Sequence, residues 1–174
     1  MYEELIPKLI EFAENKEKPS RFKHTQGVVE MSQELAERYG ADKEKLLVAA
    51  WFHDTFKEAG NLQHGAVAAD MLQKLYGVED EEILNAVRYH TTGHPGMTLM
   101  EKILKISDAL EPGRDFPGVD RLRDAIGDDI NLSLLTLMKE TKLYVEHIGG
   151  TFAEISVRTI AWLEELLESE KQSE

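Results

Sequence analysis

Apolar residues recur at helical spacing along almost the whole chain. Leu5, Ile6, Leu9, Ile10 and Ala13 form a first stripe, with Pro7 near its start, where a missing N–H is tolerated. Ser20 is placed to cap a second helix carrying Val28, Met31 and Leu35, and Gly40 to stop it. Asp42 can cap a third, from Lys43 to about Lys57. Its middle, Leu46 to Phe52, is apolar on every side, which predicts a helix at the centre of the fold. A fourth is expected from about Leu62 to Tyr76, with Val67, Met71 and Leu75 inward and Gly77 as its stop. Asp80 can cap a fifth, on which Ile83, Val87 and His90 share a face. Thr98 and Glu101 form a capping-box pattern for a sixth that ends near Leu110. Residues 111–118 contain two prolines and two glycines and read as a rigid loop. A short helix over about Asp120 to Ile126, a long one from about Asp129 to His147 and a last one from about Phe152 to Leu167 complete the chain. No strand, repeat or interdomain linker stands out. The expectation is an all-α, compact, single-domain helical bundle over residues 1–174, with the polar tail 168–174 frayed.

Composition narrows the function. At 174 residues the chain is long enough to bury a real core in one domain. A formal charge of −13 argues against nucleic acid as partner, since phosphate backbones are held by basic surfaces. It leaves room for a small phosphorylated ligand, because a metal and a few placed cations can make one pocket positive. There is no apolar run of about eighteen residues, and Met1-Tyr2-Glu3-Glu4 does not begin a leader, so no membrane association and a cytoplasmic location are expected. With no cysteine, any metal must sit on imidazole and carboxylate. A homodimer remains open.

Five of the six histidines fall between positions 24 and 94. One histidine on an apolar face is usually a core residue with its own polar partner. Several on successive helices are satisfied together by a shared metal. His53-Asp54 follows a seven-residue apolar run, and a carboxylate buried there is costly unless it is paired or ligates a metal. A His–Asp hydrogen bond without metal is the plain alternative. His24 and His64 come from the neighbouring helices, His90 from the fifth, and Asp108 from the sixth beside Ile103 and Leu104. Nitrogen and oxygen donors without sulfur suit iron, manganese or zinc. Arg114, in the rigid loop, offers a pre-ordered fork for phosphate oxygens. His94 reads as an exposed loop residue, His147 as a cation at a helix end, and Arg88 equally as pocket or surface.

His24, His53-Asp54 and Asp108 resemble the ligand signature of the HD-domain phosphohydrolases, a helical superfamily. The words Arg21-Phe-Lys-His-Thr-Gln-Gly-Val28, Phe52-His-Asp-Thr-Phe-Lys57, His90-Thr-Thr-Gly93, Leu99-Met-Glu-Lys-Ile103 and Ser107-Asp-Ala-Leu-Glu-Pro-Gly-Arg-Asp-Phe-Pro-Gly-Val119 are similar to its YqeK type, the bacterial symmetrical bis(5′-nucleosyl)-tetraphosphatases. The resemblance runs from about position 5 to about 160 and implies a two-metal site. His24, His53, Asp54 and Asp108 match one metal's ligands. Asp54, His64 and His90 match the second's, with Asp54 bridging. Iron is the first expectation, manganese or a similar metal the second. The resemblance also implies Lys57, Thr91, Arg114 and Arg158 as substrate contacts, with Asp54, Lys57 and Arg114 catalytic. It lapses at Thr151-Phe-Ala-Glu-Ile155, where the family carries a polar histidine-proline-aspartate-threonine stretch. The implied activity is hydrolysis of diadenosine tetraphosphate to two ADP by a metal-activated hydroxide. Its rivals are another HD activity on nucleotides (nucleotidase or guanosine-polyphosphate hydrolase), a nucleotide-binding sensor without turnover, and a helical diiron oxygenase.

Overall fold

The computed structural model describes residues 1–173. Among them the regular structure is nine α-helices and one 3₁₀ turn, Lys57–Ala59. In chain order the helices are α1 (Leu5–Lys16), α2 (Pro19–Tyr39), α3 (Lys43–Phe52), α4 (His64–Tyr76), α5 (Glu81–Arg88), α6 (Leu99–Leu110), α7 (Val119–Asp124), α8 (Ile130–His147) and α9 (Glu154–Gln172). The predicted start signals at α3, α5, α6 and α8 hold in place. Asp42, Asp80 and Asp129 each accept a backbone N–H of the first turn, and Thr98 with Glu101 closes a full capping box.

Two helices organise the rest. Apolar on all sides, α3 packs against α1, α2, α5 and α6, and buries Leu46, Val48, Ala49, Ala50 and Phe52. Against it lies α6, which also meets α2, α5, α7 and α8. The buried apolar residues form one connected cluster. At its α1 side Phe52 contacts Phe12, Tyr76 and Phe56, with ring centroids 5.2, 6.0 and 6.1 Å away. No helix among the described residues is long and apolar enough to cross a membrane.

Several boundaries differ from expectation. Ser20 is not a cap: Pro19 takes the first helical position, and Lys18 before it is extended, as a residue preceding proline prefers. The third helix ends at Phe52 rather than near Lys57, because the chain turns sharply there and Thr55 donates its hydroxyl to the freed Phe52 carbonyl. Helix α5 stops at Arg88, so His90 stands in the following turn. On α4 the inward face is Gly65, Ala68, Ala69 and Leu72, whereas Val67 and Met71 are half-buried and Leu75 is exposed. Small residues win there because α4 must approach α5 closely. A Cβ on Gly65 would stand 2.5 Å from the Arg88 carbonyl oxygen. The seventh helix spans Val119–Asp124 rather than 120–126. The segment expected to fray is helical through Gln172, and Glu174 lies outside the described residues.

Replacing Phe52, fully buried at the meeting point of α1, α3 and α4, with alanine should cost about 3–5 kcal/mol. Thr98→Ala, which removes one half of the capping box, should cost about 1 kcal/mol. Denaturant midpoints at unchanged slope would measure both. Equal losses would contradict this division of stability.

Candidate metal centre

Helix ends and turns deliver the polar residues to one place. The α3 terminus supplies His53 and Asp54, the start of α4 His64, the turn after α5 His90, the second turn of α2 His24, and the last turn of α6 Asp108. His53, Asp54, His64 and His90 are all at most 2% exposed. The adjacent His53 and Asp54 point to different partners. His53 Nε2 lies 3.3 Å from Asp108 Oδ1, and Asp54 Oδ1 lies 3.2 Å from His64 Nε2 and 3.7 Å from His90 Nε2. Asp54 Oδ2 faces the other way, 2.9 Å from the Arg21 guanidinium and 3.8 Å from His24 Nε2. His24 Nε2 is 2.9 Å from Asp108 Oδ1.

Backbone carbonyls fix the imidazoles. His53, His64 and His90 direct Nδ1 at the carbonyls of Ala50, Gly60 and Val87, at 2.6, 2.9 and 2.7 Å. A carbonyl only accepts, so each Nδ1 carries a proton and each ring turns its Nε2 inward, where it offers a lone pair once that nitrogen is deprotonated. His24 Nδ1 faces the buried carboxylate of Glu111 at 3.5 Å. Lone pairs then face carboxylate oxygens and each other, with His64 Nε2 and His90 Nε2 only 2.8 Å apart. Such a ring is repulsive unless protons or cations sit within it. One donor atom each from His24, His53 and Asp108 lie mutually within 4.8 Å, as do those of His53, Asp54 and His90. The donor set and its orientation fit metal ions.

The charges respond as expected for a buried cage. Burial alone would raise the Asp54 carboxyl, but the His53 charge and the adjoining His64 and His90 imidazoles hold it well below the usual carboxylate range. Asp108 is likewise held low by His24 and His53 against its desolvation. Desolvation opposes a charge on His53, yet Asp54 and the bond to Asp108 outweigh it and lift the imidazole to about 9. His90, for which desolvation dominates, is lowered.

The expected substrate contacts differ in placement. Lys57 begins the 3₁₀ turn and lines a cavity of about 270 Å³ with Asp54 and Arg21. Arg114 donates Nε to the Asp108 carbonyl at 3.0 Å, with Nη2 3.7 Å from Asp108 Oδ1. Thr91 lines a second cavity with His90 and Asp108, whereas Arg158 is exposed on α9, two residues past Ser156 of that cavity wall. Arg88 stays on its own helix, donating to Asn85. His94 is not an exposed loop residue: its Nε2 meets the buried Glu101 at 2.6 Å and its ring lies on Tyr89, which ties the 91–98 loop to α6.

Four residues escaped the sequence reading. Arg21, three before His24 on α2, was legible from that spacing alone. Lys105, three before Asp108, was legible in the same way. Glu111 was not, because its approach to His24 depends on Gly27, whose Cβ would overlap the Glu111 carboxylate. Nor was Arg123, which donates to the carbonyls of Leu110, Glu111 and Arg114 and so stitches the loop that carries Arg114.

Comparison with known proteins adds the following. Residues 21–113 match the HD domain family model. A symmetrical bis(5′-nucleosyl)-tetraphosphatase of Bacillus subtilis is 40% identical over 165 residues, covering 82% of this chain and 89% of that protein. A protein of the same description from Halalkalibacterium halodurans is 35% identical, covering 70% and 76%. The crystal structure described as a predicted HD superfamily hydrolase involved in NAD metabolism, from Clostridium acetobutylicum, superposes with a TM-score of 0.82 at 31% identity, covering 91% of this chain and 96% of that one.

With His53 near 9, chelated protein holds a proton there at neutral pH, and metal must displace it. Raising the pH removes that competitor. Metal affinity should therefore increase with pH up to about 9, with proton release on uptake at pH 7, measurable by titration in buffers of different ionisation enthalpy. Asp54→Ala should lower affinity by more than the roughly 10–100-fold typical of losing an outer partner, while the helical circular dichroism survives. Equal unfolding of this variant and chelated wild type would instead mark a structural metal.

Proposed function

The chain belongs to the HD-domain family, alongside its symmetrical bis(5′-nucleosyl)-tetraphosphatases, and from that premise we propose that it is a metal-dependent phosphohydrolase splitting diadenosine tetraphosphate into two ADP. The observation that carries this reading is the two-sided use of Asp54. One oxygen faces His64 and His90, and the other faces His24 and Arg21, so the carboxylate could serve donor groups on both sides. In this reading His24, His53, Asp54 and Asp108 would hold one ion, and Asp54, His64 and His90 the other, iron first and manganese second. The ions supply Lewis acidity and bring the pKa of a water towards neutrality.

The chain's own residues do the rest. Backbone-anchored imidazoles keep the donors oriented without reorganisation. Arg114, held by a loop that Arg123 stitches, and Lys57, beside Asp54, offset charge on the phosphoryl group being transferred, which is most of what catalysis of this step requires. Arg21 is spent on Asp54 until a phosphate offers a competing anion. Residues 1–174 serve as one catalytic domain, acting on a small nucleotide in the cytoplasm. The sensor reading is disfavoured by the intact donor set, and the oxygenase by family membership.

Diadenosine tetraphosphate should yield ADP alone, with one heavy-oxygen atom from water entering one of the two ADP molecules per turnover. The reaction should be independent of oxygen and abolished by chelation. Chromatography with mass detection reads all of this, and a split into ATP and AMP would overturn the symmetrical assignment. Arg114→Ala should raise KM about tenfold or more, the worth of a charged hydrogen bond, at unchanged metal content. A fall in metal content would move Arg114 from substrate to metal support.

A further inference from the structure

Lys105 is a cation the cage does not use. It sits one turn before Asp108 on α6, half-buried. Its ammonium donates to the Thr91 carbonyl at 2.6 Å, and no carboxylate oxygen lies within ion-pair distance of it among the described residues. The neighbouring cations differ: Arg21 is paired with Asp54, and Arg114 leans on Asp108. Three donors on one ammonium, with a single protein acceptor, leave two directed elsewhere. Burial pushes the Lys105 ammonium down to about 8 despite the Asp108 charge, so an incoming anion would restore what desolvation takes.

What lies beside it says which anion. Lys105 lines a cavity of about 220 Å³ that also contains His90, Asp108 and Arg114, so the cavity opens directly onto the cage. Its other wall is apolar: Leu137, Met138 and Phe152. Of the three hydroxyl residues lining the cavity, Ser156 donates to the Thr92 carbonyl and Thr141 to the Leu137 carbonyl, while Thr91 adjoins His90. A ligand therefore meets two cationic side chains at one end and a flat apolar surface at the other. That is the chemistry of a nucleoside diphosphate, with phosphates at the cage end and base on the wall. The cavity lined by Asp54, Arg21 and Lys57 opens onto the cage separately.

We infer that Lys105 is a substrate-binding residue that holds the phosphates of one nucleoside diphosphate half in this cavity, with its base on Phe152, Met138 and Leu137. This rests on the proposed phosphohydrolase reading and deepens it: with one half seated here and the other towards Lys57, the middle of the tetraphosphate lies over the cage. Register, and hence symmetrical cleavage, follows from the Lys105 contact.

Calorimetry of ADP and of pyrophosphate, with kinetics on diadenosine tetraphosphate, tests this in metal-loaded wild type, Lys105→Met, Lys105→Arg and Phe152→Ala. Lys139→Met, an exposed lysine on α8, controls for net charge. Lys105→Met should weaken both ADP and pyrophosphate about tenfold or more and raise KM more than it lowers kcat, at unchanged metal content. Lys105→Arg should recover most of the loss, and Phe152→Ala should weaken ADP while sparing pyrophosphate. Should Lys105→Met fold poorly, Lys105→Gln retains a donor for the Thr91 carbonyl and is used instead. Wild-type affinity for ADP and pyrophosphate in either variant, or a lowered melting temperature with unchanged KM, overturns the inference and leaves Lys105 as a strap on the 91–98 loop. If wild type binds ADP through Lys105 but does not cleave the tetraphosphate, the phosphohydrolase reading fails while the binding role stands.

Discussion

Two carboxylates in one cage, the buried Asp54 and the half-buried Asp108, are the constraint on which the structure turns. Such a pair is not tolerated in a helical core unless cationic partners surround it. Here the partners are four imidazoles on four different segments, three of them locked by backbone carbonyls so that Nε2 turns inward, available to a proton or a metal ion. The three segments that carry His53, His64 and His90 must therefore end or bend where a carbonyl can accept Nδ1–H. That requirement explains why α3 and α5 stop short of their apolar patterns and why α4 begins at His64. Freed helix-terminal groups, usually a cost, serve here as the orienting shell of the site.

The scaffold is arranged to hold these ends still. Apolar on every side, α3 places the His53-Asp54 turn at the middle of the molecule, and α6 lies against it to bring Asp108 to the same point. Close backbone approach does the rest. Gly65 lets α4 lie on the last carbonyls of α5, which puts the Nε2 atoms of His64 and His90 2.8 Å apart. Gly27 lets the Glu111 carboxylate lie on α2 behind His24. A side chain at Gly65 would force the α4 and α5 backbones apart, and one at Gly27 would displace the Glu111 carboxylate behind His24, so the site's geometry depends on two residues that supply no chemistry.

A net charge of −13 is compatible with the proposed polyphosphate substrate because the charges are segregated. Arg21, Lys57, Lys105 and Arg114 all line the cavities around the cage, while acidic residues such as Glu79, Glu81, Glu164, Glu165, Glu168 and Glu170 lie on outward faces. Arg21 and Arg114 already contact cage carboxylates, so the cage and the phosphate-facing cations form one electrostatic unit. A change in either alters the other.

Helix count, most start signals and the identity of the buried donors were legible in the sequence, because they rest on local rules. Periodicity marks a buried face, an aspartate or threonine caps the next turn, and histidine or aspartate amid apolar residues demands a partner. Those rules ran out where distant segments compete for the same space. Ser20 looked like a cap, but Pro19 takes the first position; Leu75 looked inward, but α4 turns its small residues to α5; Lys57 looked helical, but the chain breaks to aim Asp54. His94 looked like a free loop residue until its Glu101 partner was seen. Glu111 and Arg123 were invisible for the same reason: each acts on a carbonyl or imidazole that only the folded chain brings near. The sequence by itself determined which residues cannot be buried alone. Only the tertiary structure decided which of them meet, since that depends on how closely backbones can approach, on Gly27 and Gly65, and on which carbonyls the helix ends leave free.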